Sequence, residues 1–170
     1  RMRVRCASPF SASLSSLPLV ARDPTYLARH EMEIVRGAGD DAPVVEANAA
    51  NIALLRAGAL RLRQRPGPRN ALGLVKFSMP NAFDIYLHDT PAHALFDRSR
   101  RDFSHGCVRV EDAMRLAEWA LQDLPRWSRE RIAEAAAEGS TRTVRLARPL
   151  PVVVYYLTAM AVPGSARIRF

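Results

Sequence analysis

Several stretches after residue 58 show the spacing of apolar residues that is typical of β-strands. The segment "ALRLRQ" (59–64) alternates apolar and polar residues, and "LVKFSM" (74–79) and "FDIYLHD" (83–89) are separated by turn-forming residues. A long apolar run at 152–161 is a further strand candidate, with a short strand before it and a final strand after a "PGS" turn. We therefore predict a sheet, mainly antiparallel, in this part of the chain.

Helical spacing of apolar residues marks four other segments. "RDPTYLARHEMEIVR" (22–36) begins with an Asp-Pro pair suited to a helix N-terminus, and "VEANAANIALLRAG" (45–58) is rich in alanine. The amphipathic segment "VEDAMRLAEWALQDL" (110–124) has acidic residues in its first turn. Ser128 is suited to cap a helix over "RERIAEAAAEG" (129–139). The pattern thus predicts two helices before the β-rich region and two within it.

The order of these elements predicts an α+β fold in three parts. Residues 1–21 are expected to be a poorly structured leader, because "CASPFSASLSSLPLV" (6–20) has no continuous apolar core and no clear period. Residues 22–58 are expected to form a helical unit. Residues 59–170 are expected to form a β-rich core with the later helices packed against the sheet. A chain of 170 residues is long enough to bury one sizeable core.

Composition narrows the classes of function. The chain has 25 Lys and Arg against 17 Asp and Glu, a net charge of +8, and arginine greatly outnumbers lysine. A basic surface favours polyanions, including anionic cell-wall polymers, but no basic run with interleaved aromatic residues predicts nucleic-acid binding. No run of 18 apolar residues predicts a membrane span. Neither a nucleic-acid partner nor a membrane span is therefore predicted, and no cofactor is expected.

The stretch "RDFSHGCVRVEDA" (101–113) contains one of only two cysteines, and the other, Cys6, lies in the predicted leader. Two such cysteines do not form a disulfide framework. The residues by themselves leave three roles open for Cys107: a buried structural thiol, a metal ligand, or a nucleophile. A zinc site matches no familiar ligand spacing here. Its ligands would be His88, His93, His105 and Cys107.

Two features favour a nucleophile without excluding a structural thiol. A thiol attacks efficiently as a thiolate, which a nearby histidine can generate, and His88 ends a predicted strand that could hold such a base. Cys107 also precedes a predicted helix, whose N-terminal dipole favours a thiolate and whose free N–H groups could bind an oxyanion. Gly106 allows a tight turn beside it.

"IYLHDT" (85–90), followed by "FSHGCVRV" (103–110), resembles the signature of the L,D-transpeptidases with a YkuD-type catalytic domain. That signature is a histidine, a gap of roughly fifteen residues, and Ser/Thr-His-Gly-Cys. Here 15 residues separate His88 from Ser104. The similarity is closest to the large periplasmic YcbB-like branch and extends over about residues 22–170. It implies a mainly antiparallel β-sandwich with a helical lid insert, in a periplasmic or cell-envelope protein.

The resemblance also implies a mechanism. Cys107 would attack the carbonyl between the third and fourth residues of a peptidoglycan stem tetrapeptide, releasing D-alanine and leaving a thioester. His88 would be the base, oriented by the backbone carbonyl of Asp89. Backbone N–H groups around His105, Gly106 and Cys107 would form the oxyanion hole. A side-chain amine of a neighbouring stem peptide would accept the acyl group in a 3→3 cross-link, and carbapenems would inhibit covalently.

Five further residues have less definite roles. Tyr86 shares the strand face of His88 and would line the cleft or belong to the core. Arg109 would hold a substrate carboxylate or a loop, and Ser104 belongs to the architecture of the cysteine loop. Asn70, in "RQRPGPRNALG" (63–73), would contact substrate or cap a turn. His93 is expected to be an exposed loop residue.

The family's catalytic sandwich begins with strands that precede the lid insert, whereas this chain is expected to start near the insert and to lack them. Two alternatives to cross-linking stay open. An L,D-carboxypeptidase would use the same thioester with water as acceptor. A remnant domain would bind cell wall without turnover.

Overall fold

Three sheets and five α-helices make up the described part of the chain. The computed structural model describes residues 2–6, 10–11, 17–23, 25–104, 106–155, 159–161, 164 and 168–169. The strands are β1 Arg3–Cys6, β2 Phe10–Ser11, β3 Met32–Val35, β4 Val44–Val45, β5 Arg61–Gln64, β6 Val75–Ser78, β7 Leu87–His88, β8 Val108–Arg109, β9 Arg142–Arg145, β10 Met160–Ala161 and β11 Ile168–Arg169. The helices are α1 Leu17–Arg22, α2 Tyr26–Arg29, α3 Ala49–Arg56, α4 Ala113–Ala120 and α5 Arg129–Ala137, with a 3₁₀ helix at His93–Asp97.

The largest sheet has the strand order β8-β7-β6-β1-β9. Its strands pair antiparallel except for β7 and β8, which are parallel. A second, antiparallel sheet has the order β2-β5-β3-β4, and β10 pairs with β11. The predicted α+β class with antiparallel sheets is confirmed.

Strand β1 corrects the prediction made for the start of the chain. Val4 pairs with Phe77 on one side and with Val144 on the other, so β1 is an inner strand of the five-stranded sheet. Residues 3–6 are therefore not part of an unstructured leader. Four residues are too short for a period to be recognised in the sequence, and Val4 and Cys6 are completely buried only once the sheet and the helices on it have assembled.

Cys6 is a buried structural thiol. Its side chain is 0% exposed in the apolar core, and burial is the main cause that raises its pKa to about 11. A thiol that resists ionisation in this way is a poor nucleophile. Cys6 is free, as is Cys107, so the two cysteines form no disulfide.

The segment 22–58, predicted to be helical, is mixed. Helix α2 is only four residues long, and the chain then enters β3, where Ile34 pairs with Leu62 of β5. Glu31 has a φ of 54°, which ends the helical conformation between the two elements. Met32 and Ile34 fit the strand period, whereas Leu27 and Ile34 fit a helical one, and pairing with β5 decides in favour of the strand.

The later helices follow the sequence prediction more closely. Helices α4 and α5 lie within the predicted segments, and the Ser128 side chain caps α5 by accepting a hydrogen bond from Arg131 N. No helix among the described residues is both long and apolar enough to cross a bilayer.

Two predicted strands are much shorter than expected. Of the segment 83–89, only Leu87–His88 is strand. In the segment 152–161, residues 152–155 are exposed and not in a strand, and residues 156–158 lie outside the described residues. Of the residues described in this segment, only 160–161 belong to a strand. Without neighbouring strands to pair with, apolar β-branched residues do not by themselves form a sheet.

The main core lies on one face of the five-stranded sheet. Val4, Phe77 and Val144 pack there against α4 and α5, where Ala117 and Ile132 are fully buried. A smaller core joins α1, α3, β3 and β5. Side chains alternate between the two faces of a strand, so the residues between these core positions point to the opposite face, which carries the polar residues described below.

We predict that Val4→Ala lowers the free energy of unfolding by about 2 kcal/mol, because it removes fully buried methyl groups from the middle of the sheet. Val153→Ala is the matched control, since Val153 is 76% exposed, and its effect should stay within about 0.5 kcal/mol. Urea denaturation measures both. Equal losses for the two variants would contradict an inner-strand position for residues 3–6.

Candidate active site

The parallel pairing of β7 with β8 brings the two sequence motifs together. His88 pairs with Arg109, and on its other side it pairs with Lys76 of β6. Side chains at paired positions of neighbouring strands point to the same face of a sheet. His88, Arg109 and Lys76 therefore share the face opposite the main core.

Tyr86 lies two residues before His88, and Cys107 lies two residues before Arg109, so both side chains are expected on the same face. Val108 N donates a hydrogen bond to Tyr86 O at 3.0 Å, which aligns Tyr86 with Cys107 on neighbouring segments of the sheet. The Tyr86 and His88 rings meet edge to face, with centroids 5.9 Å apart. Cys107 is partly exposed, and its sulfur lies 4.0 Å from Asp84 O, the outer limit of a thiol hydrogen bond. The structure thus gathers the histidine, the thiol and the tyrosine at one end of the sheet.

His88 is almost completely buried, and its orientation is fixed by the backbone. Its Nδ1 contacts the carbonyl oxygen of Asp89. A carbonyl oxygen only accepts, so Nδ1 carries the proton of this bond and Nε2 keeps a lone pair. Burial is the main cause that lowers the pKa of His88, and the positive charges of Arg109 and Lys76 lower it further. A neutral imidazole with a free Nε2 can accept a proton.

The Asp89 carboxylate ties the loop before β6 to the site. Its Oδ2 accepts a hydrogen bond from Leu74 N at 2.8 Å, and the side chain is buried. Gly73 has a φ of 58°, and a Cβ placed there would lie 2.4 Å from Asp89 Oδ2. Gly73 is therefore required both by its backbone conformation and by the carboxylate beside it. His93 Nε2 is 3.9 Å from Asp89 Oδ1, and His93 is exposed.

Asn70 lies beneath the same loop and not at the cleft. It is 0% exposed, its Nδ2 donates to Arg65 O at 2.8 Å, and its Oδ1 accepts from Leu72 N at 2.8 Å. Because both ends of the amide are used inside the loop, the turn-capping role fits Asn70 and substrate contact does not.

Three residues hold the loop that carries Cys107. Ser104 Oγ donates to Cys107 O at 2.7 Å and accepts from Gly106 N at 3.2 Å. Gly106 has a φ of 135°, a conformation that favours glycine. Both terminal nitrogens of Arg109 donate to Phe103 O at 3.3 Å, so its guanidinium holds the loop. His105 lies outside the described residues.

The helix dipole predicted to act on Cys107 is not adjacent to it. Strand β8 follows Cys107 directly, and α4 begins only at Ala113. Asp112 caps that helix by accepting from Arg115 N at 2.9 Å. The prediction that a helix follows Cys107 directly is wrong, because the sequence gives no separate signal for the two-residue strand between them.

A cleft of about 310 Å³ opens beside Cys107. Leu95, Phe96 and Phe103 give it an apolar wall, and Arg101 and Arg109 give it positive charge. His88 and Tyr86 are not in its lining, so Cys107 connects the cleft with the row of side chains on the sheet. Arg101 also donates to the backbone oxygens of Phe96 and Arg98.

Electrostatics at Tyr86 follow from the same arrangement. Burial, and then the charge and hydrogen bonding of the Cys107 sulfur, raise the pKa of Tyr86 well above its usual range. Its hydroxyl therefore stays protonated and can donate a hydrogen bond. For the zinc alternative, no three His, Cys, Asp or Glu side chains form a ligand cluster within the described residues, which leave out His105.

Comparison with known families agrees with this geometry. The model of the YkuD family, described as an L,D-transpeptidase catalytic domain, matches residues 3–154. The chain belongs to the YkuD family of L,D-transpeptidase catalytic domains. The matched range begins within β1, which is consistent with the place of β1 inside the catalytic sheet.

A curated relative is similar over most of the chain. A Haemophilus influenzae protein named "Putative L,D-transpeptidase" is 35% identical over 149 residues, which cover 88% of this chain. The chain spans 30% of the length of that relative.

Some residues of this YkuD site gave no clear sequence signal. Lys76 and Gly73 lie in or beside a predicted strand, and nothing in their sequence neighbourhood points to Cys107 or Asp89. Arg101 precedes the cysteine motif within an arginine-rich run. The one usable signal was the rarity of lysine in this chain, which singles out position 76.

We predict that Gly73→Ala destabilises the domain by more than 2 kcal/mol, since it combines left-handed backbone strain with a clash against the Asp89 carboxylate. Gly139→Ala is the matched control, with a φ of 70° and open space around the added methyl group, and should cost about 1 kcal/mol. Urea unfolding compares the two. Indistinguishable losses would show that Asp89 is not packed against Gly73.

Proposed function

We propose that this domain is a peptidoglycan L,D-transpeptidase that forms 3→3 cross-links through a thioester on Cys107. The observation that carries the proposal is the β7–β8 pairing, which sets a neutral, oriented His88 and a partly exposed Cys107 on one face of the sheet. Membership of the YkuD family supports this choice of chemistry.

In the first half-reaction, His88 Nε2 accepts the thiol proton as the Cys107 sulfur attacks the carbonyl between the third and fourth residues of a stem tetrapeptide. The tetrahedral intermediate collapses to a thioester, and the departing amine of D-alanine takes the proton from His88. A histidine base and a thiolate nucleophile make this a nucleophilic acyl transfer.

In the second half-reaction, the side-chain amine of a neighbouring stem peptide attacks the thioester, and His88 accepts a proton from that amine. The new amide forms as the sulfur leaves, and the proton returns to the thiol. An apolar wall beside a cationic one suits a peptide that carries carboxylates, and Arg101 and Arg109 supply the positive charge of the cleft.

The oxyanion requires a donor close to the sulfur. In the described residues Gly106 N already donates to Ser104 Oγ, so we assign the Cys107 N–H to the oxyanion. The backbone carbonyl of Asp89 orients the imidazole, and Arg109 and Ser104 position the loop. No cofactor takes part in these steps.

The substrate places the proposed activity in the periplasm or cell envelope, and a net charge of +8 suits an anionic wall polymer. Carbapenems, which acylate nucleophilic enzymes, are the expected covalent inhibitors. Water as acceptor would make the same site an L,D-carboxypeptidase, and the products distinguish the two activities.

We predict that disaccharide-tetrapeptide incubated with the domain yields D-alanine and a cross-linked dimer, and that a carbapenem adds covalently to Cys107. Cys107→Ala should abolish both, whereas Cys6→Ala, the matched control, should retain the adduct because Cys6 is buried and hard to ionise. Mass spectrometry measures products and adduct. Tripeptide without dimer would indicate the carboxypeptidase. Folded protein that binds the muropeptide but forms no adduct would indicate a non-catalytic remnant.

We also predict the acid limb of the pH profile. Activity needs neutral His88, whose pKa is below its ordinary value of 6.5, so activity should be kept at pH 6.5 and fall only at lower pH. Arg109→Gln removes a neighbouring cation and should move this midpoint upward. The pH dependence of kcat/KM measures this midpoint. The plateau value of kcat/KM reports separately any damage to the loop that Arg109 holds. A midpoint above 6.5 in the unaltered domain would contradict the assignment of His88 as the base.

A further inference from the structure

Lys76 stands apart from the other basic residues of the chain. It is the one lysine among 25 Lys and Arg residues. It lies in β6 and pairs with Arg5 on one side and His88 on the other, so its side chain is directed to the face that carries Tyr86 and Cys107. The mechanism described above does not use it.

The ammonium group is held against the aromatic ring next to the thiol. Lys76 Nζ lies 3.7 Å from the centroid of the Tyr86 ring, within the range of a cation–π contact. Lys76 is half-buried, and none of the ion pairs among the described residues includes it. Arg5, its neighbour in the row, is paired with Asp40. The Lys76 charge is therefore left for the site itself.

The charged and titratable groups around Lys76 come from four parts of the chain. Arg5 faces it from β1, Asp84 from the turn before β7, Tyr86 and His88 from the β7 segment, and Cys107 with Arg109 from the β8 segment. Asp40 pairs with Arg5, so Lys76 and Arg109 are left with Asp84 as the one carboxylate of this group, and one positive charge is in excess while the thiol is neutral. A thiolate on Cys107 would supply a missing negative charge.

We propose that Lys76 is a positioning residue whose ammonium group, held on the Tyr86 ring, stabilises negative charge on the Cys107 sulfur. The proposal rests on the proposed function for its role in turnover, but it concerns the state of the thiol before any substrate binds. A lysine suits this position because its ammonium is a compact point charge on a flexible stem, whereas a guanidinium is planar and larger.

The titration of Lys76 is consistent with this arrangement. Burial is the main cause that lowers its pKa, and Arg5 lowers it further, while Asp84 and Cys107 act in the opposite direction. The Lys76 ammonium and a negative charge on the Cys107 sulfur thus attract each other, and the coupling free energy between two such charges is reciprocal.

The first experiment measures the rate of Cys107 alkylation by iodoacetamide against pH, with peptide mass spectrometry to separate Cys107 from Cys6. Lys76→Met should move the midpoint upward by about one pH unit, about a tenfold loss of rate at pH values below both midpoints. Lys76→Arg keeps the positive charge, so its midpoint should lie close to that of the unaltered protein. Arg3→Met, which removes the same charge from an exposed position on the same sheet face, should leave the midpoint unchanged. Equal midpoints for Lys76→Met and Arg3→Met would overturn the proposal.

The second experiment needs no substitution at Lys76. Lys76 is the chain's one lysine, so amine labelling followed by peptide mapping gives its titration directly. The labelling midpoint should be lower in Cys107→Ala than in the unaltered protein, because the thiolate is gone. An unchanged midpoint, or an amine already neutral at pH 7 in the unaltered protein, would overturn the proposal.

Neither measurement uses a cell-wall substrate, so the two proposals fail separately. The expected shifts without D-alanine release from tetrapeptide would contradict only the proposed function. Release of D-alanine with a Lys76→Met midpoint equal to that of the unaltered protein would contradict only the role of Lys76.

Discussion

The site depends on the parallel pairing of two very short strands. Val108 N donates to Tyr86 O at 3.0 Å, and Val110 N donates to His88 O at 2.8 Å. Each such bond adds only about 1 kcal/mol to stability, but together they fix register. A slip by one residue would turn Cys107 toward the opposite face from His88 and would separate the thiol from the imidazole.

The two faces of the sheet divide stability from chemistry. One face packs Phe77 and its neighbours against α4 and α5, and this apolar burial holds the strands in place. The other face can then carry Lys76, His88 and Arg109 at adjacent positions, although cations side by side repel each other. That repulsion keeps the imidazole neutral and, in our proposals, favours negative charge on the sulfur.

The loops around the site are held by backbone-directed polar groups. The Asp89 carboxylate accepts a hydrogen bond from Leu74 N, and the backbone oxygen of Asp89 contacts the imidazole, so one residue links the loop before β6 with His88. Ser104 holds the cysteine loop in a similar way. A buried polar group whose partners are present is rigid, as Asp89 is here, and our proposed base and nucleophile need such fixed positions.

The sequence pointed to Cys107 and His88 as candidate nucleophile and base, because a family motif depends on residue types and spacing. It also predicted α4, α5 and the cap at Ser128, because those signals are local. The sequence did not predict strand β1, the strands within residues 22–58, or the positions of Lys76 and Gly73 at the site. Those outcomes depend on strand pairing between distant segments. Short strands take their conformation from their neighbours, and only the tertiary structure shows which neighbours they have.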